Sequence, residues 1–337
     1  MLDERWSEDV EEIGTALRRL LSAECTPERV REAERTADGV DVGLTRQLQH
    51  FGLFELDGTP ELFARVAYEL GRCLAPVAFV ETMPVLTLAG RQNVAFCPNR
   101  LAPAAARAVA VVRNGEVFLE PLEGLARKTA AGDFVVEHLD SSVSECIGGA
   151  DLADRLERYA ALVEAARMVG AGQALLAYGC EYVGGREQFG KPIGAYQGVA
   201  HRLARAAGEL DAAELLVRKS AFSASAETGG DGAPAQTFAW MARAKSIEAA
   251  RTVATNVHQV FGGNGFAMEY DVQLYSRRLR SWAQRGPKVG AQLAQLGRLV
   301  LDPARRDDLR LLWHYDTGMP LPRWARELDA PFNQTAS

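Results

Sequence analysis

The sequence predicts a mainly α-helical protein with a small β segment in its middle. Apolar residues recur at helical spacing through residues 4–80, and an Asn-Gly turn separates two strand-like runs near position 114. Long segments with three- and four-residue apolar spacing then fill residues 151–300. These observations predict an N-terminal helical domain over 1–94, a reduced β segment over 95–150, a helical bundle over 151–301 and a tail over 302–337.

The N-terminal domain contains four predicted helices. The first covers residues 5–23, where apolar side chains repeat every three or four positions. Thr26 and Pro27 mark the start of the second, because Thr caps a helix N-terminus and Pro suits the first helical position. The third and fourth cover residues 42–51 and 60–74.

The β segment is predicted from residues 108–119. There Asn114-Gly115 lies between two runs rich in Val, Ala and Phe, and this dipeptide favours a hairpin turn. Residues 134–138 predict one further strand. The segment is therefore too short to form a large barrel.

The C-terminal half predicts three long helices, over residues 152–182, 196–226 and 234–260. Short connections between long helices favour an antiparallel bundle. Residues 273–301 predict one or two more helices, with a break at Gly286-Pro287.

Composition excludes several classes of protein. The chain has 337 residues, 47% of them hydrophobic, and a formal net charge of −6, whereas nucleic-acid binders usually have a basic surplus. Its N-terminus is acidic, and no apolar run comes near the ~20 residues of a membrane helix. We therefore expect a cytoplasmic protein that binds neither nucleic acid nor membrane.

Five scattered cysteines form no metal-binding pattern. We interpret them as buried thiols in a reducing compartment. His201 and His258 lie on predicted helices without a ligand partner, and we interpret both as packing residues. The sequence thus predicts no metal site.

Arg186-Glu-Gln-Phe-Gly-Lys-Pro-Ile-Gly194 lies between two long helices. Phe189-Gly190 and Pro192 predict a tight, rigid connection. The planar guanidinium of Arg186 suits a pyrophosphate or a carboxylate. On the residues alone, a solvated charge or a helix C-terminal contact is the more frequent role of such an arginine.

A second segment, His258-Gln-Val-Phe-Gly-Gly-Asn-Gly-Phe-Ala-Met-Glu-Tyr270, ends a long helix. Gly262 and Gly263 allow the backbone to come close to a ligand, and Gln259 is one residue away from the apolar stripe. Taken alone, the glycines are also compatible with a plain helix terminator.

Together the two segments, R-x-x-F-G-x-P-I-x-x-x-Q and then Q-x-F-G-G-N-G-F-x-x-E-Y, resemble the acyl-CoA dehydrogenase family. Arg277 and Arg280 continue the resemblance, which covers residues 151–285 and is compatible with residues 1–95. It implies an N-terminal helical domain, a middle β-domain, a C-terminal four-helix bundle, and FAD held across a subunit interface. By motif position it implies cofactor-binding roles for Arg186 at the diphosphate of a neighbouring subunit, Phe189 beside the nucleotide, Gln197 near the adenosine, and Gln259, Gly262 and Gly263 at the diphosphate.

The sequence departs from the family where the catalytic base is expected. The reaction removes a proton next to a thioester carbonyl, which requires a carboxylate within reach. Aligned with the family, the usual Glu position falls on Gly286, and the alternative position in the first bundle helix falls on Ala160. Glu157, Glu164 and Glu248 are the nearby carboxylates that would have to replace it, so the catalytic residue is unknown.

The middle segment lacks the family's Thr-Glu-Pro-like and Gly-Ser-Asp runs, which line the flavin ring. These losses resemble the shorter, base-lacking subunit of actinobacterial heteromeric (α2β2) acyl-CoA dehydrogenases. The resemblance implies a longer partner subunit that supplies the catalytic Glu, an acyl-CoA substrate with a steroid side chain or another bulky group, and an electron-transfer flavoprotein or similar acceptor. A self-sufficient homo-oligomeric enzyme with a displaced base and a non-catalytic scaffold remain the alternatives.

A basic cluster follows the second segment and consists of Arg277, Arg278, Arg280, Arg285 and Lys288. It is compatible with two roles, which the sequence does not separate. One is contact with the phosphates of coenzyme A, and the other is an ion-pair face between subunits.

Overall fold

The structure is a computed structural model, and it describes residues 6–55, 58–98, 101–129, 132, 134–137, 143–224 and 233–302. The Gly-rich stretch 229–232 and all of the predicted tail except Asp302 lie outside these ranges. Within them the chain is predominantly helical with a small β region, which confirms the predicted fold class.

Five helices form the N-terminal part: α1 (Glu8–Glu24), α2 (Pro27–Ala33), α3 (Val42–His50), α4 (Pro60–Arg72) and α5 (Phe79–Ala89). The predicted cap is present, since the Thr26 side chain accepts a hydrogen bond from the Arg29 amide. Helix α5 is an addition to the predicted set. It contains Pro84 in its interior, a residue that usually signals a helix end.

Seven short strands follow: β1 (Val94–Phe96), β2 (Leu101–Pro103), β3 (Ala108–Arg113), β4 (Glu116–Pro121), β5 (Arg127–Lys128), β6 (Phe134–Glu137) and β7 (Glu145–Gly148). They form a four-stranded sheet in the order β1-β3-β4-β7 and a three-stranded sheet in the order β2-β6-β5. The predicted hairpin is confirmed, because Asn114 and Gly115 both have positive φ between the paired strands β3 and β4.

The C-terminal half consists of α6 (Ala150–Gly185), β8 (Glu187–Gln188), β9 (Lys191–Pro192), α7 (Gln197–Ser223), α8 (Ala233–Phe261), α9 (Val272–Trp282) and α10 (Val289–Leu301). The predicted break at Gly286-Pro287 separates α9 from α10. A 3-10 turn over Gly262–Phe266 ends α8, as the glycines predict.

Helices α4 and α6 approach each other unusually closely. A Cβ on Gly71 would lie 2.1 Å from the Arg167 carbonyl oxygen, and one on Gly170 would lie 2.0 Å from the Tyr68 carbonyl oxygen. One hydrophobic core therefore extends from the N-terminal helices into the bundle.

Among the helices of the described ranges, one, α6, is long and apolar enough by length and composition to cross a bilayer. Of its most apolar 18-residue window, 72% is buried inside the protein, which is also the pattern of a core helix in a bundle.

All five cysteines are free. Cys25 and Cys97 are buried, as predicted, and Cys73 is partly buried. The prediction of burial is wrong for Cys146 and Cys180, because both are exposed.

Candidate functional site

The Arg186 segment forms a two-residue hairpin at the end of α6. Strands β8 and β9 pair across Phe189 and Gly190, whose φ angles are +54° and +81°. Positive φ at both central positions is typical of type I′ turns, and it is unusual for a phenylalanine. The Tyr196 hydroxyl donates to the carbonyl oxygens of Gln188 and Phe189, at 3.3 Å each, and so supports the turn.

The predicted cofactor residues of this segment face solvent. The Phe189 side chain is 92% exposed, and Arg186 and Gln197 are exposed as well. Arg186 forms no ion pair within the described ranges. Gln197 is the first residue of α7, so it lies at a helix N-terminus. All three are thus available to a ligand or to a second chain.

The second segment presents an open stretch of backbone. Gly262 has φ of +59°, and a Cβ placed on either Gly262 or Gly263 would meet no atom within 4 Å. Gln259 is exposed on the preceding turn of α8, while its neighbours Val257 and Val260 are buried. This arrangement allows an anion to approach the backbone N–H groups closely.

Contacts between side chains bring the two segments to the same end of the bundle. Tyr182, just before Arg186 on α6, stacks on Phe261 with ring centroids 3.8 Å apart and an interplanar angle of 12°. The amide nitrogen of Asn264 donates to the Tyr182 hydroxyl at 2.9 Å. The structure therefore joins the end of α6, just before Arg186, to the turn that contains Gly262 and Gly263.

The two positions expected for a catalytic base line one small cavity. Ala160 and Gly286 border a space of about 50 Å³, together with Trp240, Arg243 and Glu164. Gly286 has φ of +76°, and a Cβ placed on it would lie 3.0 Å from Nη2 of Arg243. The Arg243 guanidinium group therefore occupies the space into which a side chain at residue 286 would extend.

Arg243, on α8, is 2% exposed and fully engaged in contacts. Its Nη1 donates to the Pro287 carbonyl oxygen at 3.1 Å and to Oε1 of Gln292 at 3.0 Å, and its Nη2 donates to the Arg285 carbonyl oxygen. Its Nε lies 3.6 Å from a Glu164 carboxylate oxygen. Arg243 thus fixes the turn that in the resembled family would bear the base.

The three replacement carboxylates have different surroundings. Glu164 lies 3.6 Å from Arg243 and 3.9 Å from Arg167, so both of its near neighbours are cations. Glu248 is exposed on α8 beside Lys245 and does not line the cavity. Glu157 does line it, and burial together with the charge of Asp154 raises its pKa.

The basic cluster is mostly engaged within the chain. Arg277 and Arg278 each lie 2.9 Å from a carboxylate oxygen of Glu34, just after α2, and Arg285 contacts Glu81 on α5. These three arginines therefore form ion pairs within the chain, and both predicted roles of the cluster stay predictions. Arg280 and Lys288 remain exposed.

Neither predicted packing histidine lies in a metal site. His258 Nε2 lies 2.6 Å from the Ser276 Oγ, and burial and the Arg280 charge lower the His258 pKa. His201 is exposed, so its interpretation as a packing residue is wrong. Across the described ranges no group of three or more His, Cys, Asp or Glu side chains could hold a metal ion.

Sequence reasoning missed Arg243 and Glu81. An arginine within the apolar run Ala239-Trp-Met-Ala-Arg243-Ala was an available signal that a charge lies in the core. Its contacts to residues 285 and 287 are more than 40 positions away along the chain, and no local pattern indicates them.

The long helices and the two exposed segments together form a helical C-terminal domain. Residues 149–284 match the family model of the acyl-CoA dehydrogenase C-terminal domain. Over this C-terminal part, the chain is therefore similar to the acyl-CoA dehydrogenase family.

Two relatives differ in how much of their length this chain covers. The acyl-CoA dehydrogenase IpdE2 of Mycolicibacterium smegmatis is 27% identical over 329 residues, which is 87% of this chain and 98% of that protein. The acyl-CoA dehydrogenase FadE34 of Mycobacterium tuberculosis is 29% identical over 249 residues, which is 66% of this chain. The match spans 33% of FadE34's own length.

Solved structures share the fold at low sequence identity. A variant of the Tcur3481-Tcur3483 steroid ACAD has a TM-score of 0.79 at 20% identity over 89% of this chain and 99% of that chain. The ChsE4-ChsE5 complex of Mycobacterium tuberculosis has a TM-score of 0.76 at 21% identity over 90% of this chain and 100% of that chain. A glutaryl-CoA dehydrogenase of Mycobacterium smegmatis, solved with FADH2, has a TM-score of 0.68 at 16% identity over 88% of this chain and 95% of that chain.

Proposed function

We propose that this chain is one subunit of a heteromeric FAD-dependent acyl-CoA dehydrogenase. It contributes contacts to the FAD diphosphate of a neighbouring active site, and a longer partner subunit supplies the catalytic Glu in an α2β2 assembly. One observation favours this division most strongly. The exposed nucleotide segments are intact, while the position of the base is a left-handed glycine against a buried arginine.

The residues of the two exposed segments fit a dinucleotide diphosphate. An exposed arginine, an exposed side-chain amide at a helix N-terminus and an open glycine backbone are all donors suited to phosphate oxygens. Arg186 and the backbone at Gly262 and Gly263 would hold the diphosphate, Gln259 would donate beside them, and Phe189 would cover the nucleotide. When bound, FAD supplies the hydride acceptor for α,β-desaturation of the thioester.

The named relatives support the finer details of the proposal. Two structural neighbours are pairs of components, and one of them is called a steroid ACAD. We therefore propose a steroid side-chain or similarly bulky acyl-CoA as the substrate class. An electron-transfer flavoprotein or similar acceptor would reoxidise the flavin, and the location would be cytoplasmic.

The experiment is co-expression of this chain with the longer acyl-CoA dehydrogenase subunit encoded nearest to its gene. We expect a stable complex with bound FAD that desaturates an acyl-CoA, and an Arg186→Ala variant that retains FAD at least 10-fold more weakly. Arg205→Ala is the matched control, because Arg205 is an exposed arginine on the body of α7. If the chain expressed alone were yellow with one FAD per chain and active, the heteromeric proposal would be refuted.

A self-sufficient enzyme with a displaced base is the second candidate. Glu157 favours it, because this carboxyl group lines the cavity beside Ala160 and its pKa is raised, as a proton acceptor requires. Glu157→Gln separates the two candidates. It would abolish flavin bleaching by acyl-CoA in a self-sufficient enzyme and would leave it unchanged in the heteromeric complex. If no preparation bound FAD, only the non-catalytic scaffold would remain.

A further inference from the structure

The side chain of Asn264 anchors the 3-10 turn over Gly262–Phe266 through hydrogen bonds. The Asn264 side-chain nitrogen donates to two phenol oxygens, that of Tyr182 at 2.9 Å and that of Tyr270 at 3.2 Å. Tyr182 belongs to α6 and Tyr270 follows the turn, so one amide connects the turn to two different parts of the bundle. Both donor hydrogens of the amide are thereby used.

The two tyrosines are themselves fixed by ring packing. Tyr182 stacks on Phe261, the last residue of α8, and Tyr270 packs edge-on against both rings at centroid distances of 6.1 and 5.7 Å. Ring pairs in these geometries resist rotation and add packing energy beyond burial. The acceptors of Asn264 are therefore rigid before any ligand arrives.

A second contact holds the next residue of the turn. Gly265 is buried, and a Cβ placed on it would lie 3.0 Å from the His258 carbonyl oxygen and 3.2 Å from Nδ1 of the His258 ring. The turn is thus fixed at residues 264 and 265, while Gly262 and Gly263 stay open on the other side. Such an arrangement orders the backbone N–H groups in advance.

We propose that Asn264 is a positioning residue for the diphosphate-binding turn. Its amide, clamped between the hydroxyls of Tyr182 and Tyr270, holds the glycine backbone in the conformation that receives a nucleotide diphosphate. Asn264 acts through the turn backbone and does not itself contact the ligand. This inference rests on the proposed function and adds a residue to it.

The test measures nucleotide affinity in the purified complex after removal of FAD. FAD, ADP and adenosine are titrated separately, because ADP has the diphosphate and adenosine lacks it. Asn264→Ala removes two hydrogen bonds of about 0.5–1.5 kcal/mol each, so we expect FAD and ADP affinity to fall between about 5- and 150-fold. Adenosine affinity should not change, whereas general damage to the fold would lower all three.

A matched pair of variants keeps the test decisive if Asn264→Ala does not fold. Tyr182→Phe and Tyr178→Phe each remove one hydroxyl from α6, and both rings contact Phe261. Of these two hydroxyls, that of Tyr182 accepts a hydrogen bond from Asn264 and that of Tyr178 does not. We expect ADP affinity to fall about 2- to 10-fold for Tyr182→Phe and to stay unchanged for Tyr178→Phe.

The outcomes separate the inference from the function on which it rests. Unchanged ADP affinity in a folded Asn264→Ala complex, or equal effects of the two tyrosine variants, would overturn the role of Asn264 and leave FAD binding intact. A wild-type complex that binds neither FAD nor ADP would overturn the proposed function itself.

Discussion

Glu81 provides the sharpest test of how the N-terminal helices are joined to the bundle. Its buried carboxylate lies 2.6 Å from Nη1 of Arg167 and also contacts Arg285. Burial by itself raises the Glu81 pKa, but the two guanidinium groups outweigh it and lower the pKa from 4.5 to about 2. Arg167 in turn lies over the Trp282 ring, 4.3 Å from its centroid.

The lowered pKa sets the size of the effect. At about 1.4 kcal/mol per pKa unit, the fall from 4.5 to about 2 corresponds to roughly 3 kcal/mol of folding free energy. Glu81→Gln keeps the shape of the side chain and removes the charge, which leaves two arginines without their common carboxylate. Breaking a buried pair in this way costs about 3–5 kcal/mol, so both estimates agree.

The assay is urea unfolding of wild type and Glu81→Gln between pH 7 and pH 3. Since the folded-state pKa is depressed, the stabilisation is fully present above pH 4.5 and is lost as the pH falls towards 2. The gap of about 3 kcal/mol at pH 7 should therefore narrow below pH 4.5. Glu123→Gln, at an exposed carboxylate, is the control. Equal stability at pH 7, or a gap that does not change with pH, would refute the reasoning.

Three further predictions concern the turns. Gly286→Ala should lower the free energy of unfolding by about 1–2 kcal/mol, because φ is +76° and Arg243 is 3.0 Å from the new Cβ. The control Gly198→Ala lies in open space and should leave the free energy of unfolding unchanged. Thermal unfolding of both variants measures the difference. Arg243→Met should destabilise the chain by about 3–5 kcal/mol in the same measurement. The control Arg251→Met, at an exposed arginine, should destabilise it by less than about 0.5 kcal/mol. Similar losses of stability in the two variants would contradict the role of Arg243. Phe189→Gly should raise or preserve the stability of the fold, since φ is +54° and the ring is 92% exposed. The same variant should retain FAD more weakly. Unchanged FAD retention would argue against a contact between Phe189 and the nucleotide.

Local signals in the sequence predicted much of the fold. The cap at Thr26, the hairpin at Asn114-Gly115 and the break at Gly286-Pro287 are all present, because each depends on the conformational preferences of a few adjacent residues. Helix α5 was missed because Pro84 argues against a helix locally, while packing of Val80 and Met83 into the core outweighs that preference.

The candidate site likewise has parts that the sequence predicts and parts that it does not. The exposed segments at Arg186 and Gly262 were predicted by motif, and the glycine geometry accords with close approach of a ligand. The contacts of Arg243 and Glu81 were not predicted, because they join helices separated by many residues and depend on tertiary packing. Local periodicity contains no information about such pairs.

The contact between Gly286 and Arg243 affects the route by which this chain could regain a catalytic base. A carboxylate substituted at residue 286 would meet an unfavourable backbone angle and an occupied space. Shortening Arg243 first would leave the carbonyl oxygens of Arg285 and Pro287 without their donor. Either substitution made alone would therefore give a less stable protein. If the proposed heteromeric assembly is correct, the folding stability of this turn would oppose the return of a base at residue 286.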